Sequence, residues 1–248
     1  MYPAWYVNVG FSILLQSLLF WRGFRCGLLR RYPFFYSYLI YTALWSVIFS
    51  LPVFINHPAY SRAYWRSHLF AAILRYGIAA DVYRSVFPAD SPLRKRAATV
   101  ILLMLLLLAA AFWLAGVDNN SNPWFDALRK LALSVAALIV VILGLARYYG
   151  VGIGRNAWGI AAGLLIFMGS EIVHLAAMDL YPKLATPWGY VHPLAFVFMI
   201  FTWTLNLWSY HPNRQPSPLS QIQLSGLLSE WHDRWTQVPE ALRRLVKP

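Results

Sequence analysis

Acidic residues are scarce in this chain, and cysteine is nearly absent. Among 248 residues there are nine Asp and Glu together and a single cysteine, Cys26. One thiol can form no internal disulfide and no cysteine cluster for a metal. Charged residues make up only 12% of the sequence, about half of the roughly 25% usual for a soluble domain. That shortage excludes an ordinary water-soluble fold. A basic leader is missing as well. Arg22, Arg25, Arg30 and Arg31 follow the first apolar block rather than precede it, so the block is expected to stay as a helix and not to be removed as a secretory signal.

What the chain has in quantity is apolar sequence, 59% of its residues, arranged in long blocks rather than amphipathic stripes. Such blocks mark lipid-facing helices. The expected fold is all-α, a polytopic membrane bundle of seven transmembrane helices over residues 1–210. The spans fall at about 4–21, 34–55, 67–87, 97–117, 128–148, 156–178 and 191–210. Tyr32, Phe34, Phe35 and Tyr36 form an aromatic belt at the entry to the second. The fourth contains an uncharged run from Ile101 to Leu108 and reads as a passive, lipid-facing helix.

The formal net charge of +12 raises the question of nucleic acid. The basic residues argue for the bilayer instead, because they flank apolar blocks on alternate sides. One side has Arg22, Arg25, Arg30 and Arg31, then Arg84, Arg94, Lys95 and Arg96, then Arg147 and Arg155, and in the tail Arg214, Arg234, Arg243, Arg244 and Lys247. The other has Arg62, Arg66, Arg129, Lys130 and Lys183. The positive-inside rule then puts the N-terminus outside and the C-terminus in the cytoplasm.

Residues 211–248 form a cytoplasmic linker and an amphipathic helix. The linker carries Pro212, Pro216 and Pro218. Beyond it Leu224, Leu227, Leu228, Trp231, Trp235, Val238, Leu242 and Leu245 recur at three- and four-residue spacing. That stripe suits a helix lying on the inner leaflet, with docking onto a partner protein as the alternative.

Charged groups inside a span are costly and are functional candidates for that reason. Arg75 and Asp81 lie in the third span, Glu171 and His174 in the sixth. At about 1.5 Å per residue, Arg75 falls about 3 Å and Glu171 about 6 Å to the outer side of the midplane, so the two can meet. His174 lies one turn further out, level with His68. Arg75, Glu171, His174 and His68 are therefore the candidates for ligand binding or proton relay, with a purely structural ion pair as the competing reading. Asp81, Arg84 and Asn206 fall at a similar depth near the cytoplasm and are expected to form a polar cluster there.

Other chemistries find no support. Glu171-x-x-His174 is half of a carboxylate-bridged di-iron motif, and no second copy exists. Retinal would need a lysine in 191–210, where there is none. Gly150, Gly152 and Gly154 follow no strand, so a nucleotide loop fails. No catalytic residue, metal or cofactor is expected. Gly159 and Gly163 read as a close-packing face between helices. Asn119-Asn-Ser121 has the form of a glycosylation acceptor and equally the composition of a turn.

The segments Arg31-Tyr-Pro-Phe-Phe and Asp81-Val-Tyr-Arg-Ser-Val-Phe-Pro give the chain a resemblance to uncharacterised heptahelical membrane proteins of bacterial genomes. The resemblance implies a bacterial inner membrane and brings no activity with it. Three functions then compete. The leading expectation is a sensor or receptor-like module acting through a separate partner. The second is a transporter of a small solute or proton that uses Arg75, Glu171 and His174 near mid-depth; a 3+1+3 arrangement of the spans would make the fourth a link between halves. Pro52, in the second span, has no counterpart in the sixth. The third is a structural subunit of a larger membrane complex.

Overall fold

A computed structural model of the chain describes residues 3–48, 60–89, 91, 93–115, 123–180, 185–211 and 226. Nearly all of them are helical, and no strand occurs among the described residues. The order is α1 (Pro3–Arg25), α2 (Leu28–Arg31), α3 (Pro33–Ile48), α4 (Tyr60–Val86), α5 (Leu93–Ala115), α6 (Pro123–Tyr148), α7 (Arg155–Leu180) and α8 (Ala185–Asn206). Pro52, the Asn119-Asn-Ser121 turn and the expected amphipathic helix after 211 fall outside the described residues, Gly226 excepted.

Among the described residues three helices are long and apolar enough to cross a membrane, by length and composition: Leu93–Leu114 in α5, Pro123–Tyr148 in α6 and Arg155–Met178 in α7. They mark the chain as a membrane protein. Two shorter apolar stretches, Pro33–Ile48 and Val191–Asn206, belong to α3 and α8. Among the residues of α5 whose burial is described, Leu93 and Ala97 alone are buried, while Trp113 and Leu114 are 87% and 84% exposed. Beyond its basic first turn (Arg94, Lys95 and Arg96) α5 is uncharged and offers its leucines outward with almost no protein against them, as a helix suited to hydrocarbon does.

The long helices alternate in direction, as contacts at one end of the bundle show. There the last turn of α1 meets the end of α8, with Arg22 donating to the Trp208 carbonyl. The start of α3 meets the end of α4 through Tyr32 and Ser85, 3.1 Å apart. The start of α7 meets the end of α8, where Arg155 donates to the Leu205 carbonyl at 3.1 Å. Tyr83 of α4 donates to the Arg94 carbonyl at the start of α5. This is the basic end of the molecule. The helix α1 stops there because Gly27 takes φ +65°, a left-handed conformation open to glycine at little cost.

α4 starts at Tyr60, seven residues before the expected 67, and the last helix is displaced at both ends. It starts at Ala185 and ends at Asn206, earlier at both ends than 191–210. Its end is set by side chains from other helices that take its carbonyls, a tertiary signal with no local sequence pattern.

The two central helices, α7 and α8, interlock through small residues. A Cβ on Gly163 would collide with the Trp203 indole and come within 3.2 Å of the Met199 carbonyl, and one on Gly159 would strike Asn206. Trp203, fully buried, donates its indole N–H to the Ile160 carbonyl at 3.1 Å and stands edge-on to Phe35 at 4.7 Å. The Gly159-x-x-x-Gly163 face is thus used inside the bundle. Gly163→Leu is expected to lower the thermal midpoint by the equivalent of about 1–3 kcal/mol of overpacking. Gly144→Ala, where a Cβ meets nothing within 4 Å, should be neutral or gain about 0.5–1 kcal/mol. Equal midpoint shifts for the two variants in a thermal melt would refute the seam.

Candidate ligand-binding cavity

Away from the basic end, five helices part around a cavity of about 310 Å³. Its walls come from the first half of α1, the middle and end of α3, the first two-thirds of α4, the middle and second half of α7 and the early turns of α8. Asn8, Trp45, Arg75, Phe167 and His192 represent them in that order.

The Arg75 Nη1 donates to Glu171 Oε2 at 2.5 Å, and each side chain is 4% exposed. The expected encounter of these two residues is therefore a real ion pair between α4 and α7. Its two members are not equivalent. Arg75 forms part of the cavity wall, whereas Glu171 stands behind it and lines none of the cavity. The guanidinium lies 5.0 Å from the Phe167 ring centroid and 5.9 Å from that of Tyr38, the range of cation–π attraction. Its Nε is buried with no hydrogen-bond partner among the described residues.

Histidines furnish the other polar surface. His174 and His192 stack with centroids 4.9 Å apart and planes inclined by only 8°. The Nδ1 of each is buried without a partner among the described residues. Phe167 continues the stack, 5.0 Å from His192. His68 packs against Tyr64 at 4.5 Å and edge-on to Trp45 at 5.4 Å. Trp45 is itself fixed by donating its indole N–H to Ser67 Oγ at 2.7 Å, and Tyr41 donates to the Ser67 carbonyl at 2.6 Å.

Three of the four candidates, Arg75, His174 and His68, thus share one cavity wall, with Glu171 as the counter-charge to the first. Sequence reasoning missed His192 and Pro193, which open α8 into the cavity, and the aromatic walls of Tyr38, Trp45 and Phe167. A histidine–proline pair inside the last apolar block was the available signal for the former. Pro193 lies within the helix, where it removes one backbone donor and frees the carbonyl four residues earlier. For the aromatic residues no signal existed, since in a chain that is 17% aromatic three more rings look like lipid-facing sequence.

The inner-side candidates take separate partners at the basic end. Asp81 Oδ2 accepts the Phe35 N–H at 2.9 Å and so caps the start of α3, where Pro33 occupies the first turn. An aspartate is well placed against the orphan amides and positive end of a helix. Arg84 lies over the Phe34 ring at 5.6 Å. The Asn206 amide donates to the Thr202 carbonyl at 2.8 Å. Among the described residues no group of His, Cys, Asp or Glu is placed to hold a metal ion. Compared with family models, with curated proteins and with solved structures, the chain has no match.

Proposed function

We propose that the chain is a seven-span protein of a bacterial inner membrane, with its N-terminus outside and C-terminus in the cytoplasm. It binds a small molecule in the cavity and acts as a sensor-like module through a separate partner. The alternating helix directions and the asymmetry of basic residues support the topology. Two of the few basic residues on the opposite side, Arg129 and Lys130, lie 3.1 and 2.7 Å from Asp126 oxygens, which sharpens that asymmetry further. With this orientation the cavity opens into the outer half of the bundle.

The observation that carries the sensor reading is the course of α8. It enters the cavity wall at His192 and Pro193 and runs about 20 Å to Asn206. There Arg22, Arg155 and Asn156 grip its last carbonyls and the residues just beyond, immediately before the tail. One helix therefore links an outer cavity to the segment that would meet a partner. Occupancy that moves Pro193 has a direct route inward, provided the ligand distinguishes two positions of the helix.

The test uses a photo-reactive residue in place of Trp231, in wild type and in Ala71→Trp, whose indole fills the cavity. Cross-links to a specific membrane or cytoplasmic partner that change between the two chains are expected. Identical cross-links in both would remove the sensor reading. Transport is the second reading, favoured by Pro193, which weakens a continuous helix where it lines the cavity. Solute flux into reconstituted vesicles, above empty vesicles and abolished by Ala71→Trp, would establish transport in its place.

A further inference from the structure

The wall of the cavity has an unusual chemical balance, and that balance selects a ligand class. Among the described residues it contains Arg75, three histidines and several hydroxyl-bearing side chains, but no aspartate or glutamate. A cationic ligand would meet the guanidinium and none of the described carboxylates. An anion fares poorly for a different reason. The charge of Arg75 is already balanced by Glu171 at 2.5 Å, so a further carboxylate would leave a net negative charge in a low-dielectric interior. A neutral acceptor avoids both costs. The guanidinium has donors left over, and its Nε, like the Nδ1 atoms of His174 and His192, is buried without a partner among the described residues. A buried guanidinium N–H, and an imidazole Nδ1 in the tautomer that carries its proton there, gain most from an acceptor brought by a ligand.

Shape narrows the class again. The parallel imidazoles of His174 and His192 continue into Phe167, and Tyr38 and Trp45 complete a wall of ring faces and edges. Flat ligands stack against such surfaces with good dispersion contact. A cavity of about 310 Å³ is at the small end of ligand sites and admits one ring or two fused rings.

We infer that the cavity takes a small, neutral, flat ring compound bearing carbonyl acceptors, of the quinone class, with Arg75 donating to a carbonyl oxygen. This rests on the small-molecule reading above. Such a ring can arrive as the headgroup of a bilayer-dissolved isoprenoid compound or as a water-borne molecule, and the experiment separates the two.

The full chain in lipid nanodiscs is titrated with duroquinone, whose fully substituted ring does not add to Cys26, and with decylubiquinone. Tetramethylbenzoate, of similar outline but anionic, is used as a competitor. Saturable quenching of tryptophan fluorescence by duroquinone is expected, with most of its amplitude lost in Trp45→Phe. His192→Phe keeps the ring and removes its nitrogens, and should weaken binding about tenfold. The same loss is expected in Arg75→Met/Glu171→Leu, which keeps the bundle neutral. Tenfold tighter binding of decylubiquinone points to the bilayer as source, and equal binding to water. Displacement of duroquinone by tetramethylbenzoate at equal or lower concentration overturns the neutral class. Quenching that does not saturate, or that is unchanged in all three variants, overturns the inference as a whole. A thermal-shift screen over other compound classes then separates this failure from that of the binding reading. A stabiliser silenced by Ala71→Trp keeps a binding site in place, and a screen without one removes both.

Discussion

Replacing Glu171 with leucine is expected to cost the fold about 3–5 kcal/mol, and replacing Arg75 with methionine in the same chain to return most of it. The asymmetry follows from what each substitution leaves behind. Glu171→Leu strands a guanidinium that is 4% exposed, without its single ion-pair partner among the described residues. Phe167 and Tyr38 supply only the weaker attraction of ring faces. In the double variant neither position holds a charge, and methionine fills an irregular space well. Thermal unfolding in detergent of wild type, both single variants and the double variant makes a double-mutant cycle. A double variant as unstable as Glu171→Leu would show that the residues support the fold separately. The cycle also separates structure from function. A pair that only fixes helix register leaves ligand binding intact once neutral residues restore stability. A pair that presents Arg75 to the cavity does not. Stability near wild type with binding weakened about tenfold is the expected outcome.

How much of this could be read from the sequence depended on what kind of signal each feature leaves. Apolar blocks are long-range, redundant signals, so the helices lie close to where hydropathy places them. The exceptions are boundaries set by tertiary contacts, as at Asn206. The meeting of Arg75 with Glu171 was legible because intramembrane charges are few and rise per residue fixes their depth. Depth alone did not reveal which of them faces the cavity. That depends on rotation about each helix axis, to which a uniformly apolar sequence gives no clue. Asp81 shows the same limit from the other side. Its depth suggested company with Arg84 and Asn206, but the amide of Phe35 claims it. Backbone groups are invisible in a search for paired side chains. His192 was missed for a third reason, since near a helix start it resembles ordinary interfacial sequence.

Asn156 is the strongest example of a residue with no sequence signal, and Asn156→Leu is the second substitution expected to have a large effect. Its side chain is fully buried and serves three backbone groups at once. The amide nitrogen donates to the Asn206 carbonyl at 2.9 Å and the Ser209 carbonyl at 2.8 Å, and the amide oxygen accepts the His211 N–H at 2.5 Å. Beside it Arg22 donates to the Trp208 carbonyl through two nitrogens, at 3.0 and 2.8 Å. Carbonyls at a helix end have no partners of their own, and cations there also favour the negative end of the dipole. Leucine at 156 would leave two acceptors and one donor unmet, at about 1–3 kcal/mol for each group that water cannot reach. A loss of about 2–4 kcal/mol is expected, with faster amide exchange at Leu207 and His211. Asn156→Asp should be no better, because a carboxylate keeps the acceptor for His211 but loses both donors and faces the carbonyls directly. Arg22→Gln, which keeps a donor near the Trp208 carbonyl, should cost less than either. Exchange at His211 unchanged in Asn156→Leu would mean that the end of α8 is held by Arg22 and Arg155 alone. If the predicted order holds, the grip at the basic end is firm enough for displacement of α8 at the cavity to reach the chain beyond Tyr210, rather than be lost in a frayed last turn.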